Sequence, residues 1–321
     1  HITYPPSPRV AHLSKWILLR RPRKPQRREQ FHGFAGLMVL ISDKFLVRGL
    51  RSVACLVNAR LACPYVTHSR IAYNVPTQPT HSSFVEMDLV EKAKEAAAQR
   101  AVDNHIKNNY IVGIGSGSTV VYAVEHLARR VKEHGWKISC VPTSFQAKEL
   151  IRKHGLVMTD LEESPELNVA IDGADEIDAK LTLIKGGGGC LTQEKIIASC
   201  AKEFVVVADY RKDSSTLGEN WKKGIPVEVI PMSYVPVQRK IEKLLGHKAE
   251  LRQAAKKCGP VVTDNGKFIL DCKFTPQKDW SAVNIALKMI PGVVETGLFV
   301  GMAHKAYYGL NDGSVNEKKA P

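Results

Sequence analysis

Three short loops crowd into the 82 residues from Gly113 to Glu194, and they constrain the chain more than any other feature. They are Gly113-Ile114-Gly115-Ser116-Gly117-Ser118-Thr119, Asp172-Gly173-Ala174-Asp175-Glu176, and Lys185-Gly186-Gly187-Gly188-Gly189 with Glu194 just beyond. Each follows a short apolar run of strand character or lies in a loop beside one. Tyr110–Ile114, Ile138–Val141, Val169–Ile171 and Phe204–Ala208 read as strands. Residues 88–108, rich in Ala, Glu and Lys, and 120–133, 144–154 and 191–202 read as helices. Strands alternating with helices predict an α/β fold, a Rossmann-like, mostly parallel sheet covered by helices on both faces. Ligands of such sheets gather at the carboxyl ends of the strands.

Further on the pattern changes. Val227–Ile230 reads as a strand, 235–245 as a helix, Val261–Asp271 as a hairpin turning at Asn265-Gly266, and 281–289 as another helix before Pro291-Gly292. This predicts a smaller α+β, ferredoxin-like domain over 227–293, inserted before the chain returns to the main sheet at Val294–Val300. The catalytic α/β domain is then 87–226 with 294–321.

The formal net charge of +14 does not describe this core. Residues 1–80 hold thirteen Lys/Arg against two acids, Glu29 and Asp43, so the remainder carries only +3. The basic cluster Arg20-Arg21-Pro22-Arg23-Lys24 has no aromatic interleaving and no nucleic-acid motif, so no nucleic-acid partner is expected for the core. Residues 1–86 read as a basic leader, either a disordered extension or an Arg-rich, acid-poor segment of the kind that directs organelle import, with Met87 as an alternative start. No run reaches the ~18–20 apolar residues of a membrane span. Seven scattered cysteines without a CxxC pair suggest reduced thiols and a cytoplasmic location. Cys190, beside the glycine run, reads as a small buried packing residue rather than a reactive thiol.

The loops carry the chemistry. Gly113–Thr119 joins a strand to a helix, where unpaired N–H groups and the hydroxyls of Ser116, Ser118 and Thr119 suit a phosphate; a plain strand-to-helix turn is the other reading. Ser118 stands where the dinucleotide fingerprint needs its third glycine, and no Gly-Lys-Ser/Thr follows, so neither nucleotide loop fits. Asp172, Asp175, Glu176 and Asp178 crowd the second loop. They fit sugar hydroxyls and proton relay, a hard cation such as magnesium, or the acid-rich start of a helix. Lys185 can stabilise developing oxygen charge, and four glycines let backbone approach a ligand closely. Glu194 shares a helical face with Ile197, Ala198 and Ala201. It is either a first-turn residue meeting backbone amides or a base in a protected site.

The stretches IVGIGSGST, AIDGADEID, LIKGGGGCLTQEKI, GIPVEVIPM and VVTDNGKFILD, in this order between Met87 and Val315, resemble ribose-5-phosphate isomerase, type A, and its animal members above all. Ser116 stands where bacterial members commonly have threonine, and Cys190 where alanine is also found. The resemblance implies a cofactor-independent, metal-free interconversion of ribose 5-phosphate and ribulose 5-phosphate in the non-oxidative pentose phosphate pathway, by a homodimer or homotetramer. It implies Glu194 as the base between C2 and C1, Asp172 as an aid to ring opening or O1/O2 proton movement, and Lys185 with nearby amides as stabilisers of an enediolate. Substrate contacts are implied for Ser116, Gly117, Ser118, Thr119, Asp172, Gly173, Ala174, Asp175, Lys185, Gly186, Gly187, Gly188, Lys94 and Lys212. A coenzyme A transferase of related fold, using a glutamate nucleophile, and a non-catalytic sugar-phosphate sensor are the alternatives.

Overall fold

Helix α1 (His81–His105) opens the computed structural model, which describes residues 81–320. Of the predicted leader 1–86, residues 1–80 lie outside the described residues, and 81–86 belong to the start of α1 instead. Val90, Ala93, Ala97, Ala101 and Val102 recur at helical spacing and are buried, so α1 lays an alanine-rich stripe on the sheet. Strand β1 (Ile111–Ile114) leads into α2 (Ser118–His134), which stops at Gly135 in the left-handed conformation. Then come β2 (Ser139–Pro142), α3 (Phe145–Lys153), β3 (Val157–Met158) and β4 (Val169–Asp172). Two short strands, β5 (Glu176–Ile177) and β6 (Leu183–Ile184), precede α4 (Leu191–Cys200) and β7 (Phe204–Asp209). After these follow β8 (Ile225–Val229), α5 (Tyr234–Leu245), β9 (Ala249–Leu251), β10 (Phe268–Cys272), α6 (Trp280–Lys288) and β11 (Val293–Thr296). The chain ends with β12 (Leu298–Phe299), β13 (Lys305–Gly309) and β14 (Val315–Lys319).

The main sheet runs β14-β13-β7-β4-β1-β2-β3, parallel throughout except for the β13–β14 pair. Successive residues of β7 serve opposite faces. Val205 and Val207 join the core beneath α1, α2 and α3, while Val206 and Ala208 join the core on the other side. That second face is covered not by helices alone, as the alternation predicts, but by α4 together with a three-stranded sheet β12-β6-β5. The segment β8-α5-β9-β10-α6-β11 forms an antiparallel sheet ordered β11-β8-β10-β9, the ferredoxin-like βαββαβ arrangement. Among the described residues no helix is long and apolar enough to cross a membrane.

Two expectations fail here for identifiable reasons. Asn265-Gly266 does make a tight turn, with Gly266 N–H donating to Thr263 O at 2.8 Å and Thr263 N–H to Lys267 O at 2.9 Å, but no hairpin ladder continues beyond it. Val261 N–H donates to Arg252 O and the Thr263 hydroxyl to Glu228, so β10 pairs with β9 instead. The return to the main sheet also comes later than Val294–Val300. β11 closes the small sheet, β12 pairs with β6, and only β13 rejoins the main sheet.

Candidate active site

A cleft of about 240 Å³ opens at the carboxyl ends of β1, β4 and β7. Lys94, Ser116, Gly117, Ser118, Thr119, Gly173, Ala174, Asp175, Lys185, Gly186, Gly187, Gly188, Glu194 and Lys212 line it. Asp172 alone among the expected residues does not. It lies beneath the floor, buried, with Oδ1 accepting from the N–H groups of Ser116 (3.0 Å) and Gly173 (2.7 Å). Gly115 makes room for it, since a Cβ there would stand 2.1 Å from Asp172 Oδ1.

The start of α2 forms one end of the cleft. Gly117, at φ 108°, turns the chain, and no side chain caps the helix. The first N–H groups of α2 are therefore left for a ligand, and the positive helix end favours an anion. The Ser116 hydroxyl is held by Ser144 (2.7 Å) and Thr143 (3.0 Å), and Gly117 N–H donates to Gln146 Oε1 (2.8 Å). Lys94 is delivered by α1, which lies against the end of β13. A Cβ at Gly309 would fall 1.7 Å from Ala93 O, so this approach requires glycine. Lys212 comes from the turn after β7, which Asp209 caps by accepting Arg211 N–H at 3.2 Å.

The other end is a buried charge cluster. Lys185 Nζ donates to Gly173 O (2.5 Å) and stands 3.0 Å from Asp172 Oδ2 and 3.2 Å from Glu194 Oε2. Burial pulls the lysine pKa down, but Asp172 and Glu194 outweigh it and hold the ammonium above its ordinary range. For Glu194, burial is the largest influence and the Asp172 charge adds to it. Lys185 opposes both, and the carboxyl ends pushed up to about 8. Among the described residues its Oε2 faces only the Lys185 ammonium, which leaves a lone pair for a proton. Burial also raises Asp175, whose carboxylate accepts from Gly187 N–H (2.6 Å).

The acidic cluster divides its labour rather than converging on one cation. Glu176 accepts from the Ser214 hydroxyl and the N–H groups of Gly218 and Asn220, pinning that loop. Asp178 accepts from Lys180 and Thr182 N–H and makes a local turn. Cys190 is half-buried and lines the cleft rather than packing in the core. Burial, first, and the charge of Glu194 push its thiol to about 11, so it stays protonated.

What the sequence reading missed is how Glu194 is held. Its neighbours in α4 are each tied elsewhere. Thr192 donates to Glu228 of β8, and Gln193 donates to Asn265 (2.7 Å). Lys195 donates to Glu295 (2.9 Å) and to the carbonyls of Thr296 and Leu298, 4.7 Å above the Phe299 ring. Glu228 is fully buried and also accepts from Thr263 and Asn265. Gln146, Asp209 and Arg211 join the cleft lining as well. The only local signal was the apolar face on which Glu194, Ile197 and Ala198 are indeed buried.

Residues 139–313 match the family model of ribose 5-phosphate isomerase A (phosphoriboisomerase A). The chain belongs to the ribose 5-phosphate isomerase A family. A ribose-5-phosphate isomerase of Homo sapiens is 58% identical over 235 residues, 73% of this chain and 76% of that protein. Among solved structures, ribose 5-phosphate isomerase A of Methanocaldococcus jannaschii superposes with a TM-score of 0.67 at 39% identity, over 73% of this chain and 99% of that one. A D-ribose-5-phosphate isomerase in complex with phospho-erythronic acid gives 0.69, also at 39%, over 72% and 99%. The second and third loops and Glu194 lie within the matched residues, and Gly113–Thr119 precedes them.

Proposed function

We propose that this protein interconverts ribose 5-phosphate and ribulose 5-phosphate through an enediolate, with Glu194 as the base. The observation that carries the residue assignment is a buried carboxylate 3.2 Å from the buried ammonium of Lys185, facing the same cleft as an uncapped helix start. The phosphate takes the N–H groups of Ser118 and Thr119, with Lys94 and Lys212 as counter-charges. The open-chain sugar then reaches toward Lys185.

Glu194 removes the proton from C2, and the C–H electron pair moves into the C1–C2 bond. Negative charge collects on the former carbonyl oxygen, O1, where Lys185 and the glycine-run amides offset it. A proton passes from O2 to O1, and Glu194 returns its proton to C1. Proton and electron pair both stay within the sugar and the glutamate. Asp172 acts from below by fixing Lys185 and the Ser116 and Gly173 amides, and Asp175 orients hydroxyls. The phospho-erythronic acid bound by a relative has a phosphate and a planar carboxylate, a shape close to that enediolate.

The test is Glu194→Gln. Turnover and deuterium wash-in from heavy water should fall by ~10²–10⁴-fold, while substrate affinity stays within a few-fold. Retention of a large share of turnover would remove Glu194 from the mechanism. The proposal includes a cytoplasmic homodimer or homotetramer with 227–293 as a distinct small domain; sedimentation as a monomer at micromolar concentration would remove the oligomer.

A further inference from the structure

We infer that Arg252 sets the polarity of the oxyanion site: it clamps the Gly186–Gly188 backbone so that the Gly188 amide faces the substrate. This rests on the isomerase reading above. Arg252 follows β9 in the small sheet and does not line the cleft. Its guanidinium is paired with Asp271 through Nε (2.8 Å) and Nη2 (2.5 Å), which fixes the plane of the fork. Nη1 then donates to two successive carbonyls, Gly186 O at 2.8 Å and Gly187 O at 3.2 Å.

A trans peptide points its N–H opposite its C=O. With both carbonyls turned toward Arg252, the next two N–H groups, of Gly187 and Gly188, must face away from it. Gly187 N–H duly donates to Asp175, a cleft residue. Gly188 N–H has no protein partner among the described residues, and Gly188 is exposed in the cleft. It is an open donor in the cleft that Lys185 also lines, where the proposed enediolate oxygen develops. Glycine peptides rotate more freely than any others. The Gly186–Gly187 peptide is also held by Gly189 N–H, which donates to Gly186 O at 3.0 Å, and by Asp175, so without the clamp it is the Gly187–Gly188 peptide that can flip and present a carbonyl dipole to the anion. Arg252 is thus a positioning residue that touches no substrate and acts through two peptide planes.

The test compares wild type, Arg252→Met and Arg252→Gln, the last retaining one side-chain donor and guarding against loss of folding in the first. Folding is checked by circular dichroism. Kinetics with ribose 5-phosphate are set beside calorimetric affinities for phospho-erythronic acid, an enediolate mimic, and for inorganic phosphate. We expect kcat to fall about 10–10²-fold in Arg252→Met, less than the ~10²–10³-fold of deleting an oxyanion donor, and less again in Arg252→Gln. Affinity for phospho-erythronic acid should fall in step with kcat/KM, and affinity for phosphate should not change. Folded variants with kcat within threefold of wild type would overturn the clamp. So would an equal loss of affinity for both anions, which marks a general loosening of the cleft. A wild-type protein that binds both anions but does not isomerise the sugar would overturn the isomerase reading and the clamp with it.

Discussion

Replacing Lys185 by methionine keeps the volume of the side chain and removes only the ammonium, so it isolates what that charge does. It stands 3.2 Å from Glu194 and 3.0 Å from Asp172, all three nearly inaccessible. At an effective dielectric of ~20, a unit charge at the Glu194 distance is worth ~5 kcal/mol, which relaxation and water entry reduce to about 1–3 pKa units. The direction is set by the geometry: Lys185 lowers the Glu194 pKa, so its loss raises it further above about 8. At pH 7.5 roughly a quarter of Glu194 is ionised in the wild type, and a few per cent or less would be in the variant. Loss of the stabilising cation removes a further ~10²–10³-fold. Initial rates with ribose 5-phosphate between pH 6 and 10 should show kcat/KM down by about 10³-fold or more at pH 7.5, with the acid limb displaced upward by at least one unit. A variant that keeps a tenth of wild-type kcat with its acid limb in place would refute both the charge's role and the identity of the titrating group.

Three further outcomes follow from named contacts. Glu194 has a folded-state pKa raised from 4.5, so its contribution to stability is full below pH ~4.5 and is lost as pH rises through about 8. Glu194→Gln should therefore match wild type in unfolding free energy near pH 4.5 and exceed it at pH 9, by up to a few kcal/mol at ~1.4 per pKa unit; equal unfolding free energies at pH 9 would contradict the buried, proton-binding carboxyl. Gly309→Ala forces α1 off β13, so urea unfolding should show a loss of ~1–3 kcal/mol and KM should rise with the displacement of Lys94, while an unchanged KM would sever that link. Glu228→Gln faces donors with an amide and should lower kcat several-fold, with ~1–3 kcal/mol of stability lost, read by kinetics and denaturation; undiminished kcat would show that the Thr192 contact does not position Glu194.

Much of the sheet and its ligand edge was legible because strand, turn and helix signals there are local. Gly113–Thr119 announces a strand-to-helix turn by composition, and Glu194 betrays its burial by sharing a face with Ile197 and Ala198. β14 was illegible because Val315–Lys319 is largely polar, as an edge strand can be, and β3 is only two residues long with both side chains exposed. The Val261–Asp271 hairpin misled because its turn chemistry is right while tertiary bonds to Arg252 and Glu228 claim one arm. Lys195, Glu228, Arg252 and Gly309 act on partners far away in sequence, and no local pattern distinguishes such a lysine or glutamate from a solvated one.

The seat of α1 on β13 has a consequence for how the protein is made. The helix that carries Lys94 is among the first described elements to leave the ribosome, and the glycine that admits it, Gly309, is among the last. Until then the alanine stripe of α1 has no complete surface to lie on. Pairings across so long a span of chain are slow to close, and exposed apolar faces in the meantime invite chaperones or aggregation. A nascent chain stopped between α4 and β13 would hold Glu194, Lys185 and the glycine run but no docked first helix, so catalytic competence waits for β13.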